Sequence, residues 1–227
     1  MRLLITGLLL ASPFFASTKE VDHRLDASAA VLSEIMSSPG KGIPEDLLRK
    51  AHCIAIVPGM KEGAFIVGAK FGKGFVSCRG FHDAGWSAPA AIRIEGGSVG
   101  FQIGGSATDI VMLVMNDRGA NKLLSSKFTL GGEGEVAAGP VGRETSADTD
   151  VTLHAEILSW SRSRGAFAGV SLQGATLRED MDDNEELYGR KLGNREIING
   201  AVPPPPAASR LMSELRTYSP REQRSAR

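Results

Sequence analysis

The densest run of side chains able to do chemistry is Asp180-Met181-Asp182-Asp183-Asn184-Glu185-Glu186. Closely spaced oxygen ligands hold calcium, and Asp180, Asp182 and Asn184 open with the spacing of a calcium loop. Counted from Asp180, the sixth position is Glu185 where the turn requires glycine. The twelfth is Lys191, where a bidentate carboxylate belongs. The run therefore reads as a solvated acidic loop. Gly132-Glu133-Gly134-Glu135-Val136-Ala137 has the outline of a dinucleotide-binding turn. Two carboxylates would face the pyrophosphate there, and Gly139-Pro140 intervenes before any helix. Gly169-Val170-Ser171-Leu172-Gln173-Gly174 has one residue too many for a nucleophile elbow. His23, His52, His82 and His154 have no partner at helical metal-ligand spacing. Neither a catalytic centre, a metal site nor a cofactor is expected, and the chain reads as non-enzymatic.

Binding chemistry is more promising. Lys61, Lys70, Lys73 and Arg79 stand against a single acid, Glu62, in a glycine-rich, strand-like segment. Alternation turns Lys70 and Arg79 away from their apolar neighbours. Such cations, with glycine backbone amides, suit the phosphate of a lipid headgroup. These four are the candidate headgroup-binding residues, with Lys127 and Arg143 next. The expected partner is membrane phospholipid. The alternative is a protein partner engaged by a C-terminal docking arm. Nucleic acid is not expected, because 26 basic residues balance 26 acidic ones and a phosphate backbone selects for basic excess. Oligomeric state is left open.

The elements that must carry these residues follow from periodicity. Val21, Leu25, Ala29, Leu32, Ile35 and Met36 recur at helical spacing, predicting a helix over 21–37. Pro44, Glu45 and Asp46 suit the start of a second, short helix over 47–51. Of 27 glycines, 21 fall between Gly59 and Gly174, which predicts many turns among short strands. Strands are expected at 54–57, 64–71, 75–79, 90–94, 98–103 and 110–115, then at 133–138, 151–160 and 168–177. A helical piece is expected at 121–126. Short connections favour antiparallel pairing. The fold class is α+β: a Gly-rich, mainly antiparallel β body with an N-terminal helical segment and a docked C-terminal helix. That last helix, over 207–218, follows the stiff spacer Pro203-Pro204-Pro205-Pro206 and presents Leu211, Leu215 and Tyr218.

The expected organisation is a signal peptide at 1–16, a domain at 20–200, the spacer and helix at 201–219, and a disordered basic tail at 220–227. Arg2 precedes an apolar run at 3–11, too short to span a bilayer, and Pro13 breaks it. No cysteine follows it, so a lipoprotein anchor is not expected. The expected location is the periplasm or envelope. Cys53 and Cys78 are the only cysteines; they either pair in an oxidising compartment or stay as buried thiols.

Several stretches, in order, carry a resemblance. They are Ala51-His52-Cys53-Ile54-Ala55-Ile56-Val57-Pro58, Gly68-Ala69-Lys70-Phe71-Gly72-Lys73-Gly74, Trp86-Ser87-Ala88-Pro89-Ala90 and Gly97-Ser98-Val99-Gly100-Phe101-Gln102-Ile103-Gly104. Phe128-Thr129-Leu130-Gly131, Ala138-Gly139-Pro140-Val141-Gly142-Arg143 and Phe167-Ala168-Gly169-Val170-Ser171-Leu172-Gln173-Gly174 follow, then Asn184 with Tyr188-Gly189. The chain resembles the SYLF-domain family over about residues 30–200. The resemblance implies lipid binding, with phosphoinositides the ligands of eukaryotic members, actin binding in some, and no enzyme activity. Those eukaryotic members use a basic amphipathic N-terminal helix, whereas the helix over 21–37 mixes Asp22, Asp26 and Glu34 with Arg24 and reads first as core packing. Expressed with its N-terminus in a Gram-negative host, the protein should be recovered shortened from the periplasmic fraction. Recovery of full-length protein from the cytosol contradicts the export reading.

Overall fold

The computed structural model describes residues 14–38, 42–79, 85–131, 136–139, 155–163, 166–167, 172, 174–200 and 202–220. The apolar run at 3–11, residues 132–135, Ser171, His82, His154, Arg143 and the tail from 221 lie outside them. The chain opens with α1 (Phe14–Ser37), which begins seven residues before the expected start, and α2 (Glu45–Lys50). Two very long strands follow, β1 (Cys53–Cys78) and β2 (Ala90–Val114), then α3 (Asp117–Leu123). Next are β3 (Lys127–Thr129), β4 (Val136–Ala138), β5 (Ile157–Ser163), β6 (Ala166–Phe167) and β7 (Thr176–Glu179). Helices α4 (Met181–Tyr188), α5 (Asn194–Asn199) and α6 (Ser209–Tyr218) complete the order, with a 3₁₀ turn, Pro206–Ala208, before the last. The class is α+β, as the residue pattern implied.

The six short runs between 54 and 115 are two strands. Their ladder runs from Cys53↔Val114 to Val76↔Ala90, with register shifts only between Val57 and Met60 and between Ala64 and Ile66. Glycines expected to end strands instead pair within the ladder, Gly63 with Gly105 and Ala64 with Gly104. Extended backbone hydrogen-bonds without a side chain, so glycine bends this ribbon where it was expected to cut it. β2 is the spine of the sheet. One edge pairs with β1, and the other pairs with β7 at Ile92–Glu95 and β5 at Asp109–Val114. Pairing is antiparallel except between β4 and β5.

Both faces of the sheet are buried, and strand periodicity sorts the residues between them. Ile54, Ile56, Phe75, Val111, Leu113, Leu158 and Trp160 pack with α1, α2 and α6. Their neighbours Ala55, Val57, Val76, Ile110, Met112 and Val114 pack with Leu123 of α3 and Ile197 of α5. On α1, Val21, Leu25, Ala29, Leu32 and Ile35 are buried, at the spacing that predicted a core helix. α6 docks on the same layer through Leu211, Met212 and Leu215. Tyr218 and Ser33 hydroxyls lie 3.4 Å apart.

β1 closes on itself. Laid straight, its 26 residues would span roughly 85 Å at about 3.3 Å each. Yet the Cα atoms of its first and last residues, Cys53 and Cys78, are 3.9 Å apart and joined by a disulfide. The backbone N–H of Arg79 donates to the His52 carbonyl at 2.8 Å. Where the strand crosses its own beginning, a Cβ on Gly74 would stand 2.0 Å from the Ile56 carbonyl oxygen. Gly59, at φ +57° in the first register shift, has nothing within 4 Å of an added Cβ. Gly74→Ala should therefore cost at least about 3 kcal/mol, the upper end for overpacking. Gly59→Ala should cost only about 1 kcal/mol, for its left-handed backbone. Urea unfolding of the two variants checks the order, and equal losses contradict the crossing.

Candidate functional site

The four expected headgroup cations occupy four different environments. Lys61 is exposed on β1, opposite Ala107. Lys70 pairs with Glu62 at 3.4 Å, with little of its side chain exposed. Lys73 turns to the acidic run, reaching Asp180 at 2.8 Å and Asp183 at 2.9 Å. Arg79 lies against the end of α2, where Nε donates to the Ala51 carbonyl at 3.1 Å and Nη2 to that of Leu48 at 3.4 Å. Nη2 also donates to the Ser219 hydroxyl, and the guanidinium stands 4.6 Å over the Trp86 ring. Burial lowers the Arg79 pKa from its ordinary value. Between Lys70 and Lys73, Phe71 is 47% exposed. Of the next candidates, Lys127 is exposed on β3.

The acidic run is not a solvated loop. It is helix α4, and three of its side chains are interior: Asp180 at 1%, Asp183 at 6% and Asn184 at 0% exposure. Asp180 caps the helix by accepting the Asp183 N–H, the usual means of satisfying first-turn donors. Asp183 pairs with Arg24 of α1 as well as with Lys73. Asn184 accepts the Ala91 N–H at 2.7 Å and donates to the Leu192 carbonyl and the Asn194 side chain. Tyr188 donates to the Pro89 carbonyl at 2.6 Å, and burial raises its pKa. The run thus joins α1, β1, β2 and α5, a role that spacing alone did not reveal. The available signal was the resemblance, which singled out Asn184, Tyr188 and Gly189.

A cavity of 310 Å³ opens between α2, α3, α5 and the joined ends of β1. Its polar wall is Lys50, His52, Arg79, Asp117, Asn121 and Asn199, and the Cys53–Cys78 disulfide lines it too. His52 Nδ1 and an Asp117 carboxylate oxygen are 2.9 Å apart. Among the described residues no His, Cys, Asp and Glu cluster could hold a metal ion, and no helix is long and apolar enough to cross a membrane.

The Lys73 network makes a pH-dependent contribution. Burial lowers the Lys73 pKa, but hydrogen bonds to Asp180 and Asp183 outweigh it, and the group stands above its ordinary 10.5. A raised folded-state pKa means the contribution is intact below pH 10.5 and lost as pH rises through the higher folded value. Lys73→Met should flatten that alkaline decline. Asp183→Asn removes one carboxylate from each of two cations, leaving Lys73 with Asp180 and Arg24 with Glu20, and should cost roughly 2 kcal/mol in urea unfolding. Wild-type stability in Asp183→Asn would show that the network contributes nothing.

With this geometry in hand, likeness to known proteins becomes informative. The family described as "Ysc84: Las17-binding protein actin regulator" matches residues 95–218. Human "SH3 domain-containing YSC84-like protein 1" is 36% identical over 184 residues, which cover 81% of this chain and 53% of that protein. The rat protein of the same name is 35% identical over 184 residues, 81% of this chain and 54% of its own length. "LAS seventeen-binding protein 3" of Saccharomyces cerevisiae is 36% identical over 177 residues, 76% of this chain and 38% of that protein. The chain thus spans about half the length, or less, of these curated relatives. It belongs to the Ysc84 family of SYLF-domain proteins.

Proposed function

We propose that this domain is a non-enzymatic binding module that docks on an anionic phospholipid surface of the cell envelope. The observation that carries the reading is Phe71, an aromatic ring 47% exposed on the strand that bears Lys61 and Lys70. A large exposed apolar ring is poorly placed in water and well placed at a membrane interface. There the ring leaves water and the cations meet lipid phosphate. An exported chain fits this reading, and the Cys53–Cys78 disulfide supports an oxidising compartment.

A protein ligand is the second reading, favoured by the family's description as Las17-binding. On that reading Phe71 is the anchor of a protein interface. Flotation with vesicles of pure phosphatidylcholine and of equimolar phosphatidylcholine and phosphatidylglycerol separates the two. The protein should float only with the anionic vesicles, and less at high salt. Lys61→Gln should weaken binding roughly fivefold, the value of one interfacial cation. Phe71→Ala should weaken it about tenfold or more through lost apolar burial. Failure to float with either vesicle removes the lipid reading and leaves the protein ligand.

A further inference from the structure

We propose that the cavity between α2, α3 and α5 is a binding site for a phosphate group, distinct from the exposed Phe71. As the receptor of a lipid headgroup it rests on the membrane reading above. As a site for phosphate it does not. Two cations reach the cavity from separate elements, Lys50 from the last turn of α2 and Arg79 from just beyond β1. Arg79 is the decisive one. Its Nε and Nη2 donate to two carbonyls and a hydroxyl, all neutral acceptors. Among the described residues no carboxylate pairs with it and Nη1 donates to no acceptor. A half-buried charge without a counter-ion is destabilising, and burial already lowers this guanidinium's pKa. An anion entering the cavity supplies the missing partner. Guanidinium hydrogen bonds to phosphate oxygens are charge-assisted and directional.

The rest of the wall fits the same ligand. Among the described residues Lys50 has only a loose partner, Asp46 at 4.0 Å across the exposed face of α2, so its ammonium can turn inward. Asp117, the cavity's one carboxylate among the described residues, is held to His52 at 2.9 Å rather than to either cation. Asn121 and Asn199 add side-chain amides that suit hydroxyls next to a phosphate. At 310 Å³ the space lies at the lower end for small-ligand sites. It admits a phosphate ester with a small polyol and leaves acyl chains outside.

The test begins with inorganic phosphate titrated into the full chain and followed by amide NMR. The expected shifts centre on His52, Asn121 and Asn199. Lys50→Gln, exposed enough to leave folding intact, should weaken phosphate binding roughly tenfold. Arg79→Lys keeps the charge but loses the fork and should weaken it at least as much; melting curves establish that it is folded. If Arg79→Lys does not fold, Lys50→Gln and the double variant Lys50→Gln/His52→Gln carry the test. Absence of shifts at these amides, or unchanged affinity in Lys50→Gln, overturns the proposal. The same variants are then floated with the phosphatidylglycerol vesicles. Loss of flotation together with loss of phosphate binding supports the headgroup as the source. Phosphate binding in a protein that floats with no vesicle supports the cavity as a site for free phosphate and ends the membrane reading. Vesicle binding unaffected by Lys50→Gln overturns the cavity as the headgroup receptor and leaves the Phe71 surface standing.

Discussion

The return of β1 onto its own beginning is the constraint on which the rest of the molecule depends. A ribbon this long offers few ways to bury both faces unless it curls. Curling requires backbone to pass backbone at Gly74. Once it has closed, the disulfide and the His52–Arg79 hydrogen bond hold the ends together. The cavity is the space left beside that junction, and Arg79 stands at its edge because the strand ends there. Helices α1, α2 and α6 then cover one face while α3 and α5 cover the other. The same event therefore creates the layered core and the polar wall of the candidate site.

The acidic run shows how charge composition misleads when partners lie far away in sequence. Seven residues with five carboxylates look solvated, since charged groups are seldom buried unless paired. Here the pairing exists, but Arg24 is 159 positions from Asp183 and Lys73 is 110 away. Buried ion pairs of this kind contribute little net stability against apolar residues of the same shape, yet are costly to break. Their value lies in register: α4 can sit in only one place if Asp183 must meet two cations and Asn184 must meet Ala91. Of the cations expected to meet lipid, Lys73 is held by Asp180 and Asp183, whereas Arg79 meets only neutral acceptors.

What could be read beforehand follows the range of the forces involved. Local periodicity identified α1 and α2, and the docked helix with Leu211 and Leu215. These depend on near neighbours in sequence, and the structure has them. The merging of six expected strands into two could not be read, because whether a glycine ends a strand or bends it depends on what lies opposite. The helical piece expected at 121–126 starts earlier, as α3 from Asp117, because Asn116 caps it by accepting the Gly119 N–H. The disulfide was one of two open readings, since pairing required knowing that a strand's two ends meet. Of the candidate site, the cations were legible as residues, but their partners were not. The cavity, assembled from four separate elements, had no local signature at all.

The contact between Arg79 and Ser219 joins positions 140 residues apart, and α6 completes the layer that α1 begins. The first half of the chain therefore emerges from the ribosome with its central strand and first helix unable to finish their core. Folding that must wait for the last helix is dominated by non-local contacts and is correspondingly slow. For a chain moved across a membrane unfolded, that delay is useful. On the export reading proposed above, closure of the core would wait until the last helix had crossed.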